Sequence, residues 1–237
     1  MSGWKKNKPG LLLVFVLALI AVSCSPLHKL GKDPKVLAYE QEIQNLEALP
    51  VSDDPKTVLF AGSSSVRLWS DIETDMQPFK VMARGFGGAN MGDFAFYSRR
   101  LIDPNQCGAI VLFVANDIIG SKYDKDPYDV FHLIKITLKQ IRHKHPDTPV
   151  FWIEITPTPL RFRFWNKISI VNQLVKEYSE KTDNFHFIPT SQHFLGENGQ
   201  PKADYFLDDK LHLNQAGYSI WADCIKNALE TYAPELK

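Results

Sequence analysis

The sequence predicts a three-layer α/β/α domain around a five-stranded parallel sheet, and three observations carry that expectation. Apolar runs at 57–62, 79–83, 109–115, 149–155 and 185–189 alternate with segments of helical periodicity, the pattern of parallel strands joined by crossover helices. The runs are nearly continuous rather than alternating, as in Ala109-Ile110-Val111-Leu112-Phe113, which is what a sheet covered on both faces requires. A length of 237 residues with 44% apolar and 12% aromatic content suffices for one sizeable core and asks for no second domain.

The first 23 residues stand apart. Lys5, Lys6 and Lys8 are their only charges and precede the apolar run Leu11 to Val22, which is too short to span a bilayer as a helix and reads as a secretory signal. Ala21-Val22-Ser23-Cys24 resembles the lipobox of bacterial lipoproteins, which implies that Cys24 becomes the lipidated first residue of the mature chain. Plain secretion with Cys24 incidental is the alternative. By the same resemblance, Ser25 after the cysteine implies the outer membrane of a bacterial cell envelope. The expected organisation is a lipoprotein signal peptide over 1–23, a mobile tether over 24–35 containing Pro26, Gly31 and Pro34, and one folded domain over 36–237.

Basic and acidic residues number 27 each, and three of the basic ones lie in the signal, so no basic excess points to nucleic acid. Cys107 precedes an apolar run and Cys224 falls between Trp221 and Ile225. Both read as small core residues, with one disulfide as the alternative, and no CxxC or His/Cys cluster suggests a metal.

Within the domain, Val36, Tyr39, Ile43, Leu46 and Leu49 recur at helical spacing before Pro50 to Pro55 ends the segment. Asp126-Pro127 starts a helix with Val130, Ile134, Leu138 and Ile141 inward, and His145-Pro146 ends it. The next places Ile168, Val171, Leu174, Val175 and Tyr178 on one face. The last starts at Asn214, a good N-cap, and aligns Tyr218, Trp221, Ile225, Ala228 and Tyr232.

In a parallel sheet with right-handed crossovers, the loops leaving the C-terminal strand ends share one edge, where ligands bind. In order, those loops hold Gly62-Ser63-Ser64-Ser65, Arg84-Gly85-Phe86-Gly87-Gly88-Ala89-Asn90, Ala115-Asn116-Asp117, Thr156 to Trp165, and Asp209-Lys210-Leu211-His212. Each alone has a plain structural reading: a Ser-rich helix cap, tight-turn glycines, an Asn-Asp turn, a solvated Asp/His pair. On one edge together they supply every component of a serine esterase. A serine hydroxyl is a weak nucleophile that needs an adjacent base, and the base needs a carboxylate to fix its tautomer. Asp209 and His212 are close enough in sequence to serve each other.

These blocks resemble those of the SGNH or GDSL-type hydrolases and run in that family's order from Phe60 to Tyr218. The resemblance implies a flavodoxin-like sheet, Ser64 as nucleophile with Asp209 and His212 completing the triad, and an oxyanion hole formed by Ser64, Gly88 and Asn116. It implies no cofactor and no metal. Ser63 stands where the family has aspartate, and Val114 where it has glycine. Gly-Ser-Ser-Ser-Val-Arg-Leu-Trp with Arg-Gly-Phe-Gly-Gly looks like the subset related to platelet-activating-factor acetylhydrolase-like and carbohydrate esterases, which implies short acyl esters.

Arg161 and Trp165 are candidate substrate-pocket residues in the loop after the fourth strand, or they pack over the sheet edge; Arg67 and Arg84 read as braces for their loops. The Gly-x-Ser-x-Gly elbow of another hydrolase fold is absent, because Val66 occupies its last glycine position. The expected function is a lipid-anchored serine esterase acting on short acyl esters, plausibly acetyl esters of carbohydrates. The alternatives are a lysophospholipase or thioesterase for longer chains, and a non-catalytic envelope module that binds glycans. Lipidation has a direct test: Cys24→Ser shifts the protein from the membrane to the soluble fraction of the envelope, and unchanged membrane association counts against an anchor at Cys24.

Overall fold

The structure, a computed structural model, describes residues 26–237; the signal segment and Cys24 lie outside the described residues. Strands β1 (Val58–Gly62), β2 (Val81–Gly85), β3 (Ala109–Phe113), β4 (Val150–Ile153) and β5 (Phe185–Ile188) form one sheet in the order β2-β1-β3-β4-β5. Every pairing is parallel. The longer helices are α1 (Glu40–Glu47), α2 (Met91–Ile102), α3 (Pro127–Lys144), α4 (Trp165–Ser179) and α5 (Gln215–Tyr232). This is the expected α/β class, and its strand order reverses direction between β1 and β3, where ligands bind in such sheets.

Alternation along buried strands separates two cores. Leu59, Ala61, Ile110, Leu112 and Trp152 face one side, with Ile43, Tyr97, Ile134 and Val171 from the covering helices. Val58, Phe60, Val111, Phe113 and Phe151 face the other, with Trp221, Ile225 and Leu229 of α5. Each large side chain so buried is worth about 1.5–3 kcal/mol relative to exposure. Helix starts follow the side chains that satisfy free N–H groups. Asn90 and Asp93 form a capping box before α2, Asp126 accepts from Tyr128 N at 2.9 Å, and Asn214 Oδ1 accepts from Gly217 N at 3.1 Å.

Three boundaries differ from the expectation. β2 covers 81–85 rather than 79–83: Phe79 is buried in the second core from the preceding turn. Arg84 remains in the strand because β2 is a sheet edge, where its guanidinium reaches the carbonyls of Ala83 (3.0 Å) and Pro50. The single helix expected over Val36 to Leu49 is two, Pro34–Leu37 and α1, with Tyr39 at the break. The stretch expected as a tether is folded in its described part. Pro26–Leu30 is helical, Leu30 packs on the first core, and Asp33 caps Pro34–Leu37. Pro34 had signalled a break, but proline at a first helical position loses no hydrogen bond. Arg100 of α2 then clamps α1 by forking to Glu40 (2.8 and 2.9 Å) and Glu47 (2.7 and 2.6 Å). Cys107 and Cys224 are free thiols, the first buried and the second half-buried.

The strand that carries the site ends where side chains cannot fit. A Cβ on Gly62 would run into the carbonyl oxygen of Phe113 on β3. Beyond it the ladder continues on both sides, with Ser63 N donating to Phe113 O at 3.0 Å and Phe86 N to Gly62 O at 3.1 Å. Gly62→Ala therefore forces two hydrogen-bonded backbones apart. The expected loss is at least about 2 kcal/mol, the middle of the range for overpacked sites, measured as a lower urea midpoint; wild-type stability would contradict this account of β1.

Candidate active site

Ser64 opens a one-turn helix, Ser64–Arg67, directly after β1, and only 8% of its surface is exposed. At this first helical position its N–H finds no acceptor among the described residues, as expected of a helix start. The turn is held from outside: Tyr218 Oη donates to Ser65 O at 2.9 Å, and Trp69 stacks on Tyr218 with ring centroids 5.0 Å apart. Ser63 is buried, makes no side-chain cap and lines the cavity beside Ser64.

Asp209 and His212 come together through a tight reversal ahead of α5. Lys210 N donates to Leu207 O and Leu207 N to His212 O, both at 2.8 Å. Lys210 takes φ +58, a left-handed conformation uncommon outside glycine. The reversal lets Asp209 Oδ1 accept from Leu211 N and His212 N, each at 2.9 Å. Its Oδ2 lies 2.6 Å from His212 Nδ1. Burial opposes the Asp209 charge, but the hydrogen bonds from His212 and the two backbone N–H groups outweigh it and hold the carboxyl below its ordinary pKa. His212 Nε2 lies 2.9 Å from Ser64 Oγ. An ionised Asp209 accepts the Nδ1 proton, so the network assigns Nε2 as the unprotonated nitrogen facing the hydroxyl. A hydroxyl, an imidazole and a carboxylate thus form one hydrogen-bonded chain from residues far apart in sequence.

The expected oxyanion donors follow the three adjacent strands β1, β2 and β3. Gly88 N–H, like that of Ser64, has no acceptor among the described residues, and Gly88 holds φ +73, where a side chain would strain the backbone. Asn116 donates from Nδ2 to Ala89 O at 3.0 Å and accepts at Oδ1 from Arg161 Nη2 at 2.6 Å. Its neighbour Asp117 serves the fold: it accepts from Met91 N at the start of α2 at 2.8 Å and from Lys125 Nζ at 2.9 Å.

A cavity of about 30 Å³ lies against Ser64, lined by Ser64, Asn116, Thr158, Arg161, Leu211 and His212 among others. An open trough of about 510 Å³ adjoins it through Asn116 and is bordered by Lys35, Tyr39, Gly88, Tyr123 and Lys125. Trp165, expected beside Arg161, does not line the cavity; it packs on the first core and stacks with Phe162. Arg67 approaches Glu42 of α1 at 4.0 Å, in keeping with a bracing role. Val114, in the family's glycine position, is buried in the first core. Thr158, Lys35 and Tyr39 had not been singled out for the site, and no local pattern marks them. Among the described residues, no group of three or more His, Cys, Asp or Glu side chains is placed to hold a metal ion.

The family model of the GDSL-like lipase/acylhydrolase family matches residues 59–220, about two thirds of the chain and every strand-end loop of the site. The chain belongs to this family and is a carboxylic ester hydrolase. No significant match is found among curated proteins. Among solved structures, it is similar to a candidate acylhydrolase from Bacteroides fragilis, at 21% identity and TM-score 0.70 over 84% of this chain and 97% of the other. A candidate platelet activating factor from Streptococcus pneumonia has 21% identity and TM-score 0.69 over 90% and 99%. A carbohydrate esterase of family 3 from Talaromyces cellulolyticus has 16% identity and TM-score 0.55 over 74% and 96%. At these identities the likeness is one of fold.

The hydrogen-bonded chain makes a specific demand on activity. Ser64→Ala and Asp209→Asn are each expected to lower kcat for p-nitrophenyl acetate by about 10⁴-fold while leaving the thermal transition in place. An Asp209→Asn enzyme with undiminished turnover would remove Asp209 from the chemistry.

Proposed function

We propose that the chain is a serine esterase that removes short acyl groups, acetyl above all, from polar alcohols such as carbohydrates. The observation that carries it is the 2.9 Å approach of His212 Nε2 to Ser64 Oγ, backed by Asp209. Ser64 Oγ attacks the ester carbonyl carbon as His212 takes its proton. The tetrahedral oxyanion is held by the N–H groups of Ser64 and Gly88 and the amide of Asn116, each donor worth about 3 kcal/mol in comparable sites. As the intermediate collapses, the carbon–oxygen bond to the alcohol breaks and His212 gives its proton to the departing oxygen. Water then attacks the acyl-enzyme by the same route, releasing the acid and restoring Ser64.

The cavity sizes support the division of the substrate. On the scale where one water needs about 10–15 Å³, the roughly 30 Å³ beside Ser64 offers room for a group of about acetyl size. The trough beside it mixes charged, amide and phenolic groups, the kind of lining that hydrogen-bonds a polar alcohol. With Ala21-Val22-Ser23-Cys24 read as a lipobox, the enzyme works from a lipid anchor at the bacterial envelope.

A p-nitrophenyl ester series separates this reading from the longer-chain one. Turnover should be highest for acetate and fall at least about tenfold by butyrate, since each methylene without space costs on the order of 1–3 kcal/mol. Acetate release from acetylated xylo-oligosaccharides tests the alcohol. A maximum at octanoate would favour a lysophospholipase or thioesterase, and turnover unchanged by Ser64→Ala would leave only a binding module.

A further inference from the structure

Arg161 sits in the two-turn 3₁₀ stretch Pro159–Phe164 after β4 and is half-buried, and its guanidinium forms no ion pair among the described residues. Burial works against the guanidinium charge, and Asp117 and Asp124 favour it from beyond hydrogen-bonding distance. What the guanidinium touches is neutral: Nη1 donates to Ala115 O at 2.7 Å and Nη2 to Asn116 Oδ1 at 2.6 Å. Both prongs fall on consecutive residues of the loop after β3, a placement that fixes that loop as well as filling space.

An asparagine amide is nearly symmetric in shape, and its two ends differ in chemistry. With nitrogen toward a developing oxyanion it donates; with oxygen there it repels. A guanidinium has no acceptor, so it can hold only the oxygen end, and a carbonyl has no donor, so Ala89 O can hold only the nitrogen end. Asn116 is gripped from both sides in this way. One of its two amide hydrogens goes to Ala89 O, and the second remains for substrate. We infer that Arg161 is a positioning residue: its two-pronged contact with Ala115 and Asn116 fixes which end of the Asn116 amide the oxyanion meets. The inference rests on the reading of Asn116 as an oxyanion donor. It also gives the stretch after β4 a double attachment, because Leu160 N donates to Lys210 O at 3.0 Å, between Asp209 and His212. The same stretch thus braces the acid–base turn and the oxyanion donor.

A double-mutant cycle with p-nitrophenyl acetate tests this. Asn116→Ala should lower kcat by about 10²–10³-fold; a kcat within about threefold of wild type would instead overturn the role of Asn116 itself and the inference with it. Given that loss, Arg161→Ala should lower kcat by about 10–100-fold with KM within about threefold, and should cost less than about threefold when added to Asn116→Ala. Equal losses in both backgrounds would show that Arg161 does not act through Asn116. Guanidinium chloride at non-denaturing millimolar concentration should restore part of the activity of Arg161→Ala and none of the double variant's. Arg161→Lys, which keeps the charge without the planar fork, decides the matter if the alanine variant fails to fold: a partial loss is expected, and full wild-type kcat would mean that charge alone suffices. Gain of butyrate turnover with acetate turnover intact would make Arg161 only a cavity wall and overturn the inference.

Discussion

The site depends on how closely three strand ends approach at Gly62. β1 is paired in register with β2 through Gly85 and with β3 through Phe113, and the missing side chain at Gly62 lets the backbones stay within bonding distance. Because the ladder runs one residue past the strand on both sides, the peptide before Ser64 is fixed by the sheet itself. Ser64 N–H, Gly88 N–H and the Asn116 amide, the donors proposed for the oxyanion, follow three adjacent strands, so their spacing inherits the rigidity of the sheet. His212 and Asp209 are attached differently. Their turn carries a left-handed lysine and is tied to the body by side contacts, so the base is delivered by a local conformation whose strain surrounding bonds must offset.

Much of this was legible in the chain. Five apolar runs gave five strands, since burial on both faces leaves a strong and local signature. The Asp209 to His212 spacing and Asn214 as a cap were likewise local features, and local hydrogen bonding realises both. The end of β2 is misplaced in the sequence reading because Arg84 looks like a loop residue until a sheet edge and the distant Pro50 carbonyl are available to it. The described part of the 24–35 stretch reads as a tether because proline and glycine signal breaks without saying whether the intervening turns find something to pack on.

The pairing of Arg161 with Asn116 left no trace in sequence. It joins two loops that follow neighbouring strands, and neither residue belongs to a periodic pattern. Trp165 shows the opposite limit. A large aromatic residue near a site is attractive as a pocket wall, yet a nonpolar core behind it competes for the same ring, and here the core takes it. Ser63 is clarified only in part: its small buried side chain stands at the cavity, and nothing in the structure explains why serine replaces aspartate there.

The N-terminal arm carries a mechanical implication. Gly87 N donates to Glu42 Oε1 of α1 at 3.0 Å, one residue before the glycine that offers its N–H at the site, and α1 is bolted to α2 by the two carboxylates around Arg100. A pull along the arm would be borne first by that bolt and then, through Glu42, by the loop of Gly87 and Gly88. The sheet would feel it last. The N-terminal arm and the loop of Gly87 and Gly88 are therefore linked directly, by the Glu42 carboxylate and by the Tyr39 ring 5.2 Å from that of Phe86.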